Sequence, residues 1–250
     1  MSSSFSLNFS SSLASTIGDG SGLGTGLRDR LSGTGAAIGA ADPNLQLNTS
    51  SGLLKIRSTN SDINGQLGLP SGEYLGLNLG RIGFTGSEDF CVGARFRDVR
   101  YSQIFDQFGL YVGSGSASNF RAGYLFSGQR SLFSAQNNGG YDASSASAAG
   151  PSEGSDLFVS IGRLAGQYFF DVNGLSLTLG AQPNFLNGFT DLNVGLFAAN
   201  ARNIDAKTAT VDDFTVMVGP ATTVPEPHSF VLTLSGLIAV AVARRRVRRV

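Results

Sequence analysis

The 250-residue chain is 41% hydrophobic and only 14% charged, with 34 glycines, one cysteine and one histidine. This apolar content can fill a sizeable core, so we expect a folded protein and not a disordered one. The single cysteine, Cys91, excludes an intramolecular disulfide framework and a multi-cysteine zinc site. His228 is the only histidine and lies near the C-terminus, so neither a Ser-His-Asp triad nor a histidine-rich metal site is expected in the body.

Charge is distributed unevenly along the chain. Basic and acidic residues number 18 each, but five of the arginines lie within the last seven positions. Residues 1–219 therefore carry 13 basic and 17 acidic side chains, a net charge of −4. A mildly acidic body without a basic stripe predicts no nucleic-acid partner.

Alternation of apolar and polar residues predicts short strands throughout the body. At the N-terminus Phe5, Leu7 and Phe9 alternate with polar residues. In the segment 90–97, alternate residues from Phe90 to Phe96 are apolar, which puts Arg95 and Arg97 on the opposite face. Strands are predicted near 53–58, 74–79, 90–97, 108–113, 120–126, 130–135, 157–161, 168–172, 175–179, 193–199 and 209–218.

Glycine-rich joints connect these predicted strands. Asn173-Gly174 lies between two alternating runs, which is a strong hairpin signal because a type I′ turn needs positive φ at both central residues. Residues 18–46 are predicted to be irregular, and residues 137–155 to form a mobile surface loop. About eleven strands without an amphipathic helix predict an all-β, two-sheet sandwich of the jelly-roll kind over residues 1–218.

The C-terminal segment has a different composition. Residues 219–223 are predicted to be a linker, and Pro225 and Pro227 then favour an extended chain. Residues 230–243 follow as an apolar run, which as a helix would measure about 21 Å against a hydrocarbon core of about 30 Å. The apolar residues of this predicted helix are Phe230, Val231, Leu232, Leu234, Leu237, Ile238, Val240 and Val242. The basic residues that end it are Arg244, Arg245, Arg246, Arg248 and Arg249.

Residues 224–250 closely resemble the PEP-CTERM sorting signal of bacterial exported proteins. The resemblance is carried by Pro225-Glu226-Pro227, the short hydrophobic helix and the arginine cluster, in that order. It implies recognition by an exosortase-type membrane enzyme, insertion of the helix in the inner membrane, removal of the tail and delivery to the cell surface or extracellular matrix. A permanent single-pass anchor is the alternative. Because export requires an N-terminal signal and residues 1–9 have no basic-then-apolar pattern, we expect such a signal upstream.

Four stretches of the second half are similar to concanavalin A-like domains, the laminin G and related β-sandwich group. They are residues 106–112, 166–174, 194–199 and 209–216. The resemblance implies a concanavalin A-like jelly roll, a fold that hosts lectins, hydrolases and inert spacers.

Carboxylates suited to glycoside hydrolysis are scarce. The glutamates of the body are Glu73, Glu88 and Glu153, and the Glu-x-Asp-x-x-Glu strand usual among hydrolases of this fold is absent. Glu88 and Asp89 are adjacent, so on a strand they would point to opposite faces. The sequence therefore predicts no catalytic residue and a protein that is not an enzyme: a non-catalytic envelope or matrix protein, with polysaccharide binding as a hypothesis. The alternative is an anchored carbohydrate-active hydrolase on the same sandwich.

No cofactor and no metal site are predicted. Calcium remains an alternative, because residues 19–22 and 42–44 offer oxygen ligands in a glycine-rich stretch. Asp212-Asp213 are interpreted as satisfying backbone donors at a strand entry. Sugar binding would require exposed aromatic rings, and the sequence interpretation favours packing for the tyrosines that lie in strands. The tyrosines considered are Tyr101, Tyr111, Tyr124 and Tyr141, with Arg121 or Gln107 as hydrogen-bonding partners.

Overall fold

The structure is a computed structural model. It describes residues 3–10, 27, 45–48, 50–57, 59–60, 73–100, 106–115, 118–126, 130–138, 142–177, 186–200 and 208–220. These residues form fifteen strands and a 3₁₀ helix, Leu79–Ile82. The strands are β1 (Ser3–Leu7), β2 (Leu45–Asn48), β3 (Leu53–Arg57), β4 (Thr59–Asn60), β5 (Glu73–Asn78), β6 (Asp89–Arg97), β7 (Asp106–Gly115), β8 (Ser118–Phe126), β9 (Arg130–Asn138), β10 (Asp142–Ala149), β11 (Leu157–Leu164), β12 (Gln167–Val172), β13 (Leu175–Leu177), β14 (Asn193–Asn200) and β15 (Thr208–Gly219).

The strands form two sheets. Sheet A has the order β13-β12-β11-β6-β15-β3-β2, with β1 also paired to β15. Sheet B has the order β10-β9-β8-β7-β14-β4, with β5 also paired to β14. The described pairings are antiparallel except that between β4 and β14. The prediction of an all-β sandwich is therefore confirmed.

The core lies between the sheets, where β11 faces β7 and β8, and β12 faces β8. The apolar residues that alternate along each strand point into it, as in β6, where Phe90, Val92 and Phe96 are fully buried. Across the two sheets Phe120 packs edge-to-face on Tyr168 and Phe170, with ring centroids 5.1 and 5.2 Å away. Burying one such side chain stabilises the fold by about 2 kcal/mol, so the alternating pattern supplies much of the driving force.

The predicted hairpin at Asn173-Gly174 is confirmed. Both residues have positive φ, 53° and 77°, and they connect β12 to β13. The carboxylate of Asp171 accepts a hydrogen bond from the Gly174 N–H at 3.0 Å, and the Asn173 amide oxygen accepts one from Phe158 N–H at 2.7 Å. The turn is thus tied to its own strand and to β11.

Three strands were not predicted from the sequence. β10 occupies 142–149, inside the segment predicted to be a loop, where it pairs with β9. Its sequence, DASSASAA, has no large apolar residue and so gives no alternation to detect, although its backbone completes a ladder. β2 and β4 are short, with four and two residues, and β2 begins inside the segment 18–46 that was predicted to be irregular.

The predicted linker 219–223 begins one residue too early, because Gly219 is the last residue of β15. Residues 221–223, the predicted C-terminal helix, the sorting motif and the arginine cluster lie outside the described residues. Within the part of the chain that the structure describes, no helix is long and apolar enough to cross a membrane.

Candidate functional site

A groove of about 870 Å³ lies on the outer face of sheet A, where β15 passes between β6 and β3. Its floor is charged, and its rim is formed by the turn after β1 and the turn between β2 and β3. The lining residues are Asn8, Ser10, Ser50, Ser51, Gly52, Leu53, Lys55, Arg95, Arg97, Asp98, Thr210, Asp212 and Asp213.

A β-bulge in β15 brings two consecutive carboxylates into this groove. Val211 pairs with Phe96 and Asp213 pairs with Arg95, so Asp212 is an extra residue on the β15 side. Val211 and Phe214 are both fully buried, and the two residues between them therefore face outward together. A regular strand would have placed Asp212 and Asp213 on opposite faces.

Two arginines of β6 hold the neighbouring carboxylates. Arg95 donates to the Asp156 carboxylate from Nη2 at 2.6 Å and from Nε at 3.1 Å, and its Nη1 lies 3.6 Å from Asp212 Oδ2. Arg97 donates from Nη1 to Asp212 Oδ2 at 2.9 Å, and its Nε lies 3.4 Å from Asp156 Oδ1. Asp156 and Asp212 thus share the same pair of guanidinium groups.

Packing fixes the position of Arg95. Its side chain is only 12% exposed, and its guanidinium lies over the Phe158 ring at 5.4 Å from the centroid. The Arg97 side chain is 42% exposed, so it closes the network from the solvent side. Charge-assisted hydrogen bonds of this kind orient carboxylates strongly.

The three carboxyl groups have different proton affinities. Burial disfavours the charged form of Asp156, but the hydrogen bonds from Arg95 and from the Asp98 N–H, together with the charges of Arg95 and Arg97, outweigh it and lower the pKa of Asp156. Burial raises the pKa of Asp212 in spite of the two arginines. For Asp213, burial and the adjacent charge of Asp212 raise the pKa to about 6. The groove therefore holds one carboxyl that keeps its proton up to about pH 6 beside two carboxyl groups paired with arginine.

Such an arrangement is suited to acid–base chemistry. A carboxyl with a pKa of about 6 can donate a proton at mildly acidic pH, and an ionised neighbour can activate water or stabilise positive charge. Environments that move the pKa values of two neighbouring carboxyls apart are typical of acid–base sites.

The rim contributes neutral hydrogen-bonding groups and one cation. Asn8 Oδ1 accepts from the Ser10 N–H and hydroxyl, and Asn48 Oδ1 accepts from the same groups of Ser50. Lys55 lies on β3 directly opposite Thr210 of β15 and is exposed. The groove thus combines hydroxyl and amide groups with a charged floor.

Glu88 and Glu153, which were considered from the sequence, do not join this site. Glu88 accepts from the Thr85 N–H at 2.7 Å and its hydroxyl at 2.6 Å; these bonds outweigh the opposing effect of burial and lower the pKa of Glu88 to about 2. Asp89 accepts from the Ala165 and Gly166 N–H groups. Glu88 and Asp89 therefore have separate structural partners, and Asp89 is buried. Glu153 is exposed in the turn after β10. The Glu73 backbone belongs to β5.

The sugar-platform candidates are not exposed rings. Tyr124 belongs to the core, and Tyr111 is fully buried on the outer face of sheet B, opposite Arg121 in the register. Arg121 is only 2% exposed and donates to Asn119 Oδ1 at 3.1 Å. Packing is thus confirmed for both strand tyrosines. Tyr101, Tyr141 and the calcium candidates 19–22 and 42–44 lie outside the described residues.

Among the described residues, no group of three or more histidine, cysteine or acidic side chains is arranged to hold a metal ion. Asp212 and Asp213 lie inside β15 and not at its entry, so that interpretation of the pair was wrong. The sequence did contain a signal for the bulge. Val211 and Phe214 are three residues apart in a strand where inward residues otherwise recur every second position.

Comparisons with known proteins give a fold likeness. No protein-family model and no curated protein matches the chain. An endo-1,3-beta-glucanase from Streptomyces sioyaensis aligns over 86% of this chain and 95% of its own, with a TM-score of 0.53 at 10% identity. A GH43 protein, BlXynB from Bacillus licheniformis, aligns over 66% of this chain and 32% of its own, with a TM-score of 0.52 at 14% identity. A xylan beta-1,4-xylosidase from Bacillus halodurans aligns over 72% and 36%, also with a TM-score of 0.52 at 14% identity.

The chain thus spans about a third of the length of the two Bacillus proteins and nearly all of the glucanase. At these identities the likeness shows the β-sandwich fold. The prediction that the chain is not an enzyme is contradicted by these comparisons, because the three solved structures named above, which share its fold, are carbohydrate-degrading enzymes.

Proposed function

We propose that this protein is a carbohydrate-active hydrolase on a concanavalin A-like jelly-roll sandwich, with its acid–base chemistry in the groove at the β15 bulge. The observation that carries the proposal is the placement of Asp212 and Asp213 on one face, with the pKa of Asp213 raised to about 6. The sandwich likeness to a glucanase over most of both chains supports the choice of polysaccharide as substrate class.

In the proposed reaction the two carboxyl groups have distinct roles. Asp213 donates its proton to the glycosidic oxygen as the bond to the anomeric carbon breaks. Asp212, whose Oδ2 accepts a hydrogen bond from Arg97, acts in its ionised form toward the anomeric carbon, as nucleophile or through water. Water supplies the hydroxyl of the new reducing end. If Asp212 forms a covalent intermediate, Asp213 takes the proton of that water; if water attacks directly, Asp212 takes the proton and Asp213 regains its own from solvent.

The C-terminal segment completes the proposal. Residues 224–250 act as a sorting signal, with Pro225-Glu226-Pro227 recognised by an exosortase-type enzyme and the apolar run held in the inner membrane before delivery to the cell surface. The support is the order of motif, apolar run and arginine cluster. Mass spectrometry of surface material tests it, since an intact Arg249 in released protein would contradict processing.

The hydrolase proposal is tested by measuring reducing ends released from xylan, 1,3-beta-glucan and acidic polysaccharides at pH 5–7. Asp213→Asn is expected to lower kcat by about a hundredfold or more, because a general acid contributes about that factor. Asp212→Asn is expected to lose at least as much. Glu153→Gln, which removes a carboxylate outside the groove, is the matched control and should retain wild-type activity.

The stereochemistry of the product would then distinguish the role of Asp212. Retention of the anomeric configuration indicates a covalent intermediate on the carboxylate, and inversion indicates direct attack by water. Wild-type protein that releases no reducing ends from any polymer, or Asp213→Asn that hydrolyses at the wild-type rate, would contradict the proposed site.

A further inference from the structure

Most charged groups of the groove form ion pairs with one another, and one cation remains outside these pairs. Arg95 and Arg97 are matched by Asp156 and Asp212. Near the rim, Arg100 is matched by Asp98, with Nε 2.9 Å from Oδ2. Lys55 and Asp213 are the groove-lining charges that remain.

The Lys55 side chain is accessible to a ligand in the groove. Its side chain is exposed and lines the groove, and among the described residues it has no ion-pair partner. It lies opposite Thr210, two residues before the bulge that carries Asp212. A ligand in the groove would therefore meet an ammonium group on the β3 side and the carboxyl of Asp213 on the floor.

From this arrangement we propose that the groove recognises an acidic polysaccharide, with a uronate carboxylate of the sugar chain bound by Lys55. The inference rests on the proposed function, because it names the substrate class of the same groove. The hydroxyl and amide groups of Asn8, Ser10 and Ser50 offer partners for sugar hydroxyls around that carboxylate.

The same arrangement sets the direction of the pH dependence. Asp213 faces Arg95 across the ladder and Asp212 beside it, while Arg97, Asp156, Asp98 and Lys55 complete the charged surroundings among the described residues. When Asp213 is protonated, the net charge of the groove is positive. Sugar carboxylates remain ionised down to about pH 4, so affinity for the acidic polymer rises as the pH falls from 7 to 5.

The test compares polygalacturonate with methyl-esterified polygalacturonate, in which each carboxylate is neutralised as its methyl ester, by calorimetric binding to the full-length protein at low salt. Tighter binding of polygalacturonate is expected. Lys55→Gln should weaken that binding by about fivefold and leave the methyl ester unaffected, since an exposed charge pair contributes about that factor. Arg57→Gln is the matched control: it removes a cation from the same strand and face, outside the groove lining, and should have little effect.

The outcomes separate this inference from the proposed function. Equal affinity for the two probes, or an unchanged affinity in Lys55→Gln, overturns the acidic substrate class even if the protein hydrolyses a neutral polymer. Binding of polygalacturonate that depends on Lys55 without release of reducing ends supports the groove's ligand and overturns hydrolysis. Asp213→Asn should abolish the change of affinity between pH 7 and pH 5, and a change that persists also counts against the proposal.

Discussion

The outer faces of the two sheets differ: that of sheet B is closely packed, and that of sheet A carries exposed charged groups. On sheet B, glycines at 109, 113, 123 and 195 leave no room for side chains, and Tyr111 lies fully buried among them. On sheet A, an extra residue in β15 projects Asp212 and Asp213 into a half-exposed groove. On sheet B, the absence of side chains lets neighbouring strands approach closely. On sheet A, the extra residue of β15 places two carboxyl groups in the groove.

The contrast teaches where chemistry can occur in this sandwich. A buried face stabilises the fold through close packing and offers no access to a large substrate. The groove contains half-buried carboxyls whose ionisation is opposed by burial, an arrangement that weakens the fold and suits a reactive site. We therefore expect substitutions on sheet B to lower stability most, and substitutions in the groove to change stability less and in a pH-dependent way.

The largest effect is expected from Gly109→Ala on sheet B. A Cβ at this position would collide with the backbone carbonyl of Ala122, which cannot move without breaking the ladder. The expected cost is about 3 kcal/mol in the free energy of unfolding, measured by chemical denaturation. Gly166→Ala is the control: its Cβ would meet nothing within 4 Å, and only its φ of +75° makes alanine costly, by about 1 kcal/mol. Equal losses of unfolding free energy in the two variants would contradict the proposed difference between a steric collision and backbone strain.

A smaller effect is expected from Arg95→Gln in the groove. The substitution leaves Asp156 and Asp212 with Arg97 alone and should destabilise the protein by about 2 kcal/mol at pH 7. Because the pKa of Asp156 is lowered in the folded protein, its ionic stabilisation is present above the ordinary aspartate pKa and is lost as the pH falls below it. The cost of Arg95→Gln should therefore shrink below about pH 4.

Thermal unfolding from pH 3 to pH 7 would measure that change. Arg100→Gln is its control, since Arg100 pairs with Asp98 at an exposed position and should change stability little at any pH. A cost for Arg95→Gln that is independent of pH would show that its packing on Phe158 matters more than its charge.

The smallest effect is a gain in stability from Asp213→Asn. The pKa of Asp213 is raised to about 6 in the folded state, so the protein loses stability as the pH rises from the ordinary aspartate pKa to about 6, and the uncharged amide avoids that loss. We expect a gain of about 1 kcal/mol at pH 7, discounted for solvent screening, and none at pH 4, where the carboxyl is largely protonated in the folded protein. Chemical denaturation at the two pH values measures it. A variant that is more stable yet inactive would match the proposed catalytic role.

Much of the fold could be predicted because the residues facing the core are large and alternate. β6, with Phe90, Val92 and Phe96 inward and Arg95 and Arg97 outward, follows the sequence pattern directly. The hairpin at Asn173-Gly174 was equally predictable, since few residue pairs tolerate positive φ twice. β10 could not be found this way, because its alanines and serines mark neither face.

The site was harder to predict than the fold. Sequence reasoning considered Asp212 and Asp213 but gave them a structural role, and it looked for catalytic carboxylates among glutamates. Asp156 lies 56 residues before Asp212 in the sequence, yet both contact Arg95. Contacts between residues so distant in the chain depend on strand order, which local patterns do not specify.

The sequence by itself determined that this is an all-β chain with an acidic body and a cationic, apolar C-terminal segment. These properties follow from apolar alternation and from composition, which depend only on short stretches of the chain. Tertiary structure decided that β15 lies between β6 and β3 and bulges there. Only that pairing brings the arginines of β6 against the aspartates of β15 and leaves Lys55 at the rim. Proton affinity depends on burial and on neighbouring charges, and both exist only once the sheets have assembled.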